Sequence, residues 1–288
     1  MALRKQALLV FSKPPIPGLV KTRLTEANGG FLTPEQAADF FKLCLYDVCD
    51  ASMIALSELQ AQKDAAREAD PDADEFRYDF FISTTPASNL ELMKETFGKI
   101  DWPMEIHYIT DSGATFDDHF DDAFKQIFDQ GYESIVSVGG DIPTMPKSHV
   151  TQAFQWLEYF QDGLKTPGIV LAPCQECGTS LVGFSHDTPV NHQGVYYNLD
   201  GTPALDAYMA KIKEHDLPVA YFSPIADIDD KTDLAHAVSC LRAIELAGRY
   251  QPDVFVPRRV LSWIGLMGIT VSTPPNDEHD PRQYIDNE

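Results

Sequence analysis

Three observations predict an α/β protein: a three-layer α/β/α domain around a mostly parallel sheet. Short apolar runs of strand length alternate with amphipathic stretches of helix length along the 288 residues, the pattern of strands joined by crossover helices. The first run, residues 7–11 (Ala-Leu-Leu-Val-Phe), is apolar without alternation, as a strand buried on both faces requires. The hydrophobic fraction is 44%, with 3 Trp, 11 Tyr and 17 Phe, enough to fill one substantial core.

The elements follow in order. Thr33-Pro34-Glu35-Gln36 carries a helix start: Thr33 as N-cap, Pro34 at the first helical position, Gln36 closing a capping box. Ala37, Phe40, Phe41, Cys44, Leu45 and Val48 recur at three-to-four spacing and mark one buried face of a helix reaching about residue 59. The polar, Ala-rich residues 60–76 read as an exposed helix end and loop. Strands are expected at 78–83, 104–109 and 134–138, with helices at 90–97 and 116–128 between them. The second of these helices bears a stripe of Phe116, Phe120, Phe124, Ile127 and Phe128, read as core. A helix at 150–160, strands at 169–172 and 180–184, a helix at 204–214, a strand at 219–222 and a helix at 233–247 complete a single domain over residues 1–250. Residues 251–288 form a C-terminal extension. Its apolar segment 256–267, with Trp263, is either a terminal helix docking on the domain or one covering a partner surface; a homodimer is a possible assembly. From about Asn276 the end is acidic and expected to be mobile.

Composition excludes several classes. No apolar run approaches the ~20 residues of a membrane span, and the N-terminal apolar stretch is too short for a signal peptide, so a cytoplasmic protein is expected. A net charge of −22 repels nucleic acid and anionic lipid. The 5 Cys are irregularly spaced, which is no disulfide framework. Cys174-Gln175-Glu176-Cys177 lacks the second ligand pair of a zinc site and reads as two reduced cysteines on a turn. No G-x-S-x-G elbow and no G-x-G-x-x-G occur, which argues against a hydrolase elbow and a dinucleotide-binding fingerprint.

In a parallel sheet flanked by helices, ligands bind beyond the carboxyl ends of the strands, so the loops after strands carry the candidates. The first runs from Phe11 and Ser12 through Lys13, Pro17 and Gly18 to Lys21 and Arg23. Prolines stiffen it, Gly18 permits a turn or close approach, and the cations at its ends suit phosphates, with Arg binding bidentately and Lys as a point charge. No acidic residue precedes Glu26, so this is a basic island on an acidic chain. The second loop is Gly139-Gly140-Asp141-Ile142-Pro143, whose carboxylate is a hard donor for Mg²⁺ or Mn²⁺ bridging phosphates. The third is Asp227-Ile228-Asp229-Asp230, where Asp227 and Asp229 share one side of an extended segment and could complete a metal site with Asp141; Asp229 or Asp230 could instead cap the helix that follows. The turn 110–115 is a weaker candidate for contact with a base or sugar.

Phe11-Ser12-Lys13 through Pro17-Gly18-Leu19-Val20-Lys21-Thr22-Arg23-Leu24 resembles the opening motif of a bacterial family of GT-A-type transferases, described as nucleotide-diphospho-sugar transferases or glycosyltransferase-like and related to the guanylyltransferases of molybdenum-cofactor and phospholactate metabolism. Gly140-Asp141-Ile142-Pro143 resembles its G-x-D-x-P motif, and Asp227-Ile228-Asp229 with Asp233-Leu234 resembles its D-x-D-x-x-x-D-L ending. The resemblance runs in order from about residue 7 to 235. It implies a GT-A fold, a nucleotide held by Phe11, Ser12, Lys13, Pro17, Gly18, Lys21, Arg23, Gly139 and Gly140, and a divalent cation, Mg²⁺ or Mn²⁺, on Asp141 with Asp227 or Asp229. It implies catalytic roles for Lys21, Arg23 and Asp141. Two segments depart from the pattern: Thr115-Phe116-Asp117-Asp118 replaces a Gly-Glu-Arg segment, and Glu176-Cys177-Gly178 replaces an Asp-Gly-Gly turn. The expected function is metal-dependent transfer of a glycosyl group from a nucleotide-sugar to a small-molecule acceptor. The alternatives are nucleotidyl transfer from an NTP with release of pyrophosphate, and nucleotide binding without catalysis.

Overall fold

The structure is a computed structural model that describes residues 2–273; the acidic end from Asn276 lies outside the described residues. A seven-stranded sheet is built from β1 (Leu3–Phe11), β2 (Glu75–Thr84), β3 (Ile106–Thr110), β4 (Ser134–Gly139), β5 (Ile169–Pro173), β6 (Thr179–Ser185) and β7 (Val219–Tyr221), in the order β3-β2-β1-β4-β6-β5-β7. Every pairing is parallel except those of β6, which runs antiparallel to both β4 and β5. The helices are α1 (Pro34–Ala69), α2 (Leu90–Phe97), α3 (Phe116–Phe128), α4 (Lys147–Glu158), α5 (Ala204–Glu214), α6 (Lys231–Ala247) and α7 (Arg258–Leu266).

The central strand shows why the sheet is buried on both faces. Along β1, Leu8 and Val10 enter the core shared with α1, α2 and α4, whereas Ala7 and Leu9 enter the core shared with α3 and α5. Period-2 alternation therefore feeds two separate apolar layers, which is the three-layer α/β/α architecture.

α1 starts as its sequence specifies: Thr33 Oγ1 accepts from the Gln36 N–H at 3.2 Å, the Gln36 side chain accepts from the Thr33 N–H at 2.9 Å, and Pro34 is the first helical residue. The helix is longer than its apolar stripe, its exposed end running on to Ala69 within the segment 60–76 read as helix end and loop. Residues 60–69 are mostly Ala, Gln, Lys, Arg and Glu, which propagate a helix without needing a core. α1 is also buried on two sides. Phe41, Leu45 and Val48 face the sheet, whereas Ala37, Phe40 and Cys44 meet Leu234, Val238 and Leu241 of α6 and Val260 and Ile264 of α7.

The apolar segment 256–267 thus docks on the domain as a helix. A polar lock fixes it. Asp47 of α1, nearly inaccessible, accepts from the Val260 N–H at 2.9 Å and from Arg259 at 3.0 Å, and Asp50 accepts from the same guanidinium. Burial pushes the Asp47 carboxyl up to about 6, against the pull of Val260 and Arg259. Among the described residues no helix is long and apolar enough to cross a membrane.

Candidate functional site

At the carboxyl ends of β1, β2 and β4 lies a cleft of about 580 Å³. Phe11, Ser12, Lys13, Lys21, Arg23, Gly139, Gly140, Asp141 and Asp229 line it, joined by Thr85, Phe116 and His119. Of the residues expected in the site, Pro17 and Gly18 shape the loop without lining the cleft, and Asp227 does not line it either.

The first loop reaches the cleft by alternating anchored and open residues. Gly18 sits at φ 80°, and Leu19 N–H donates to the Ile16 carbonyl at 3.0 Å. Val20 then drops into the α1 side of the sheet core, and Leu24, at the end of a short 3₁₀ turn, drops into the core against α6 and α7. Lys21 is caught between these anchors and adopts φ 47°, ψ 40°, a left-handed conformation that costs a side-chain-bearing residue of order 1 kcal/mol or more. The outcome of that strain is a buried ammonium. The Lys21 side chain is 6% exposed, and its Nζ donates to Asp141 at 2.5 Å and to Asp229 at 2.7 Å. Burial opposes its charge, but the two carboxylates outweigh burial and push its pKa above the ordinary lysine value. Arg23 differs: 65% exposed, it stands at the mouth 3.4 Å from Asp229.

Asp141 comes from the end of β4. Gly140 before it is packed so tightly that a Cβ there would lie 2.8 Å from Leu45 Cδ1 and 3.2 Å from Ser12 Oγ. The absent side chain lets the first and second loops close on each other and aims Asp141 at Lys21. Asp229 is held by the next helix: the Asp233 carboxylate accepts from the N–H groups of Asp229 and Asp230, both at 3.0 Å. Asp230 is the N-cap of α6, accepting from Thr232 and Asp233, so its carboxylate is used in the fold. Asp227 is fixed by a residue that sequence patterning passed over. Gln175, on the β5–β6 turn, donates to the Asp227 carbonyl at 2.6 Å and accepts from its N–H at 3.2 Å. No short-range signal links residues so far apart.

Asp141 and Asp229 share the Lys21 ammonium, and Asp227 is a third carboxylate within electrostatic reach of all three. Burial, with repulsion from Asp141 and Asp229, pushes Asp227 up to about 6 despite the attraction of Lys21. As arranged here, Lys21 Nζ lies between Asp141 and Asp229, and among the described residues no group of three or more His, Cys, Asp or Glu side chains forms a ready-made cage.

The departures from the family pattern have structural roles. Asp117 is buried and accepts from the N–H groups of Val195, Tyr196 and Tyr197 at 2.9–3.2 Å, pinning the segment that returns from β6. Asp118 closes the N-terminal capping box of α3 with Thr115. Glu176 and Cys177 turn the β5–β6 hairpin at φ 60° and 63°. Cys174 is a free thiol pushed up to about 12 by burial and by the adjacent Asp227, which disfavours the thiolate that redox or metal chemistry needs. The aromatic stripe of α3 is core at Phe120, Phe124 and Ile127, but Phe116, half-exposed, instead packs edge-on against Phe11 at 5.3 Å and forms a wall of the cleft.

Comparison with known proteins agrees with this architecture. Residues 73–198 match the family described as "Uncharacterized protein conserved in bacteria (DUF2064)". A solved structure from Desulfovibrio desulfuricans G20, a provisionally assigned nucleotide-diphospho-sugar transferase, superposes with a TM-score of 0.64 at 22% identity, covering 91% of this chain and 97% of that one. The chain therefore has the nucleotide-diphospho-sugar transferase fold. Looser likenesses are a cytidylyltransferase from Leptospira borgpetersenii (TM-score 0.46, 11% identity, 95% of this chain and 100% of that one) and 4-diphosphocytidyl-2C-methyl-D-erythritol synthase from Anaerococcus prevotii (0.43, 10%, 83% and 96%). No curated protein matches the sequence.

Proposed function

We propose that the protein is a transferase that binds a nucleotide-sugar in this cleft and passes the glycosyl group to a small-molecule acceptor, with a divalent cation as cofactor. The observation that carries the reading is Lys21: a strained backbone holds a buried ammonium at the cleft, paired only with carboxylates that a cation would otherwise occupy. Strain of this kind persists where function requires the geometry.

Lys21 and Arg23 are positioned to meet the negative charge that grows on the leaving nucleoside diphosphate as the sugar–oxygen bond breaks. A bound diphosphate competes with Asp141 and Asp229 for the Lys21 ammonium. Lys13 adds positive charge at the rim, Gly139 and Gly140 admit the nucleoside closely, and Phe11 with Phe116 offers an apolar wall to its base or sugar. Asp141, with Asp227 or Asp229, would hold Mg²⁺ or Mn²⁺, which when bound supplies Lewis-acid neutralisation of the diphosphate.

The test is to incubate the protein and Mn²⁺ with a panel of NTPs and nucleotide-sugars and follow phosphorus species by ³¹P NMR. Release of nucleoside diphosphate, abolished by EDTA, supports the proposal. Release of pyrophosphate would assign nucleotidyl transfer instead, and no binding of any compound would overturn the reading.

A further inference from the structure

A second constellation reaches the same cleft through His119 without belonging to its phosphate or metal residues. Asp111, at the carboxyl end of β3, has a fully buried carboxylate. One of its oxygens accepts from the Ser83 hydroxyl at the end of β2, and the other meets His119 Nδ1 at 2.7 Å. His119 belongs to the first turns of α3, one helical turn after Phe116, and its quarter-exposed ring lines the cleft. A buried carboxylate costs several kcal/mol unless it is fully hydrogen-bonded. Here that requirement fixes an imidazole: Nδ1–H donates to Asp111, which selects the tautomer whose Nε2 carries the lone pair of a ring that lines the cleft.

Resting on the transferase reading, we infer that His119 is the general base of the reaction, that Asp111 is its positioning residue, and that the acceptor is therefore hydroxyl-bearing. An acceptor phosphate or carboxylate is already ionised at neutral pH and needs no base. A hydroxyl must lose its proton as it attacks. In the step, the acceptor O–H bond breaks and its proton passes to His119 Nε2. The acceptor oxygen forms a bond to the anomeric carbon. The bond from that carbon to the β-phosphate oxygen breaks, and its electron pair leaves with the nucleoside diphosphate, whose charge Lys21 and Arg23 meet. Ser83, bonded to the far oxygen of Asp111, keeps the carboxylate from rotating. A purely structural role, in which His119 only ties α3 to β3, would use the same Asp111 contact but make no use of Nε2.

Water is a hydroxyl acceptor available in any assay, and azide is a nucleophile with no proton to lose. Wild type, His119→Gln and Asp111→Asn are incubated with Mn²⁺ and whichever of UDP-glucose, UDP-galactose, GDP-mannose and ADP-glucose the wild type hydrolyses fastest, with and without sodium azide. Nucleoside diphosphate and glycosyl azide are quantified, and donor affinity is measured by calorimetry. The inference expects His119→Gln to bind the donor as wild type does, to hydrolyse it roughly 10²–10⁴-fold more slowly, and to recover with azide by forming glycosyl azide. Asp111→Asn should show a smaller loss with the same azide recovery. Unchanged hydrolysis in His119→Gln would overturn the inference, and so would a loss that azide does not restore, because that marks a structural tether. If wild type itself releases no nucleoside diphosphate from any of the four, the transferase reading fails first and the base falls with it. Wild type alone thus separates the two failures.

Discussion

Of the places in this molecule that set one cation between two carboxylates, the one at Arg259 and the one at Lys21 are built differently. At the α1–α7 contact, Arg259 bridges Asp47 and Asp50, the Val260 N–H takes up the remaining capacity of Asp47, and Tyr46 and Trp102 lie within 6 Å of the guanidinium. The backbone there is ordinary helix. At the cleft, Lys21 bridges Asp141 and Asp229 from a left-handed backbone, a third carboxylate stands nearby, and the cluster opens on a cavity. The first arrangement is complete and joins helices. The second keeps backbone strain and an excess of negative charge beside a cavity. Pairing alone does not mark a site; incompleteness and strain beside a cavity do.

Breaking the cleft pair should have the largest functional effect. Lys21→Ala is expected to lower turnover of a nucleotide-sugar by about 10²–10³-fold, read by phosphate-species NMR; it also lowers the melting temperature, because it leaves Asp141 and Asp229 unpaired and alanine keeps the left-handed strain. Arg259→Ala should lower stability alone. Removing the partner of a buried carboxylate costs about 2–3 kcal/mol, below the value for a fully enclosed pair because Arg259 is partly open to solvent. Urea unfolding measures this, and nucleotide affinity should not change.

The pH dependence sharpens the contrast. Burial holds the Asp47 carboxyl at about 6, against 3.8 as its ordinary value. A raised carboxyl pKa means the folded chain keeps a proton that the unfolded chain has released. Stability should therefore fall as pH rises from about 4 to about 6 and level off above that, by on the order of 2 kcal/mol from this group. Asp47→Asn should flatten that part of the unfolding profile. The smallest effect is expected from Gly140→Ala. Its Cβ would press on Leu45 and Ser12, costing about 1 kcal/mol and weakening nucleotide binding severalfold as Asp141 shifts.

Much of this was legible in the sequence because burial leaves a periodic trace. The run 7–11, the Thr33–Gln36 capping box and the glycines before Asp141 each state a local geometry that the fold then uses. Strand direction left no trace: apolar runs report burial and not polarity, so the reversal of β6 is set by the short turn at Cys174–Gly178. Residues 60–69 continue α1 on helix propensity and on polar ties from Gln60, Lys63 and Arg67, which an apolar stripe does not reveal. Phe116 was hidden because a stripe gives the face of a helix and not where that face runs out of core. His119 and Asp111 were hidden because β3 and α3 bring them together only across the turn between the strand and the helix.

The central claim is that Lys21 and Arg23 hold the phosphates of a nucleotide. Calorimetric titration of wild type and of the Lys21→Ala, Arg23→Ala double variant with UDP-glucose and GDP-mannose, in Mn²⁺, tests it most directly. The account predicts saturable binding by wild type to at least one of them, and an affinity roughly 100-fold or more weaker in the double variant, since each charge-assisted hydrogen bond is worth about 1.5–3 kcal/mol. Equal affinity in the two proteins, or no binding by wild type, would contradict it.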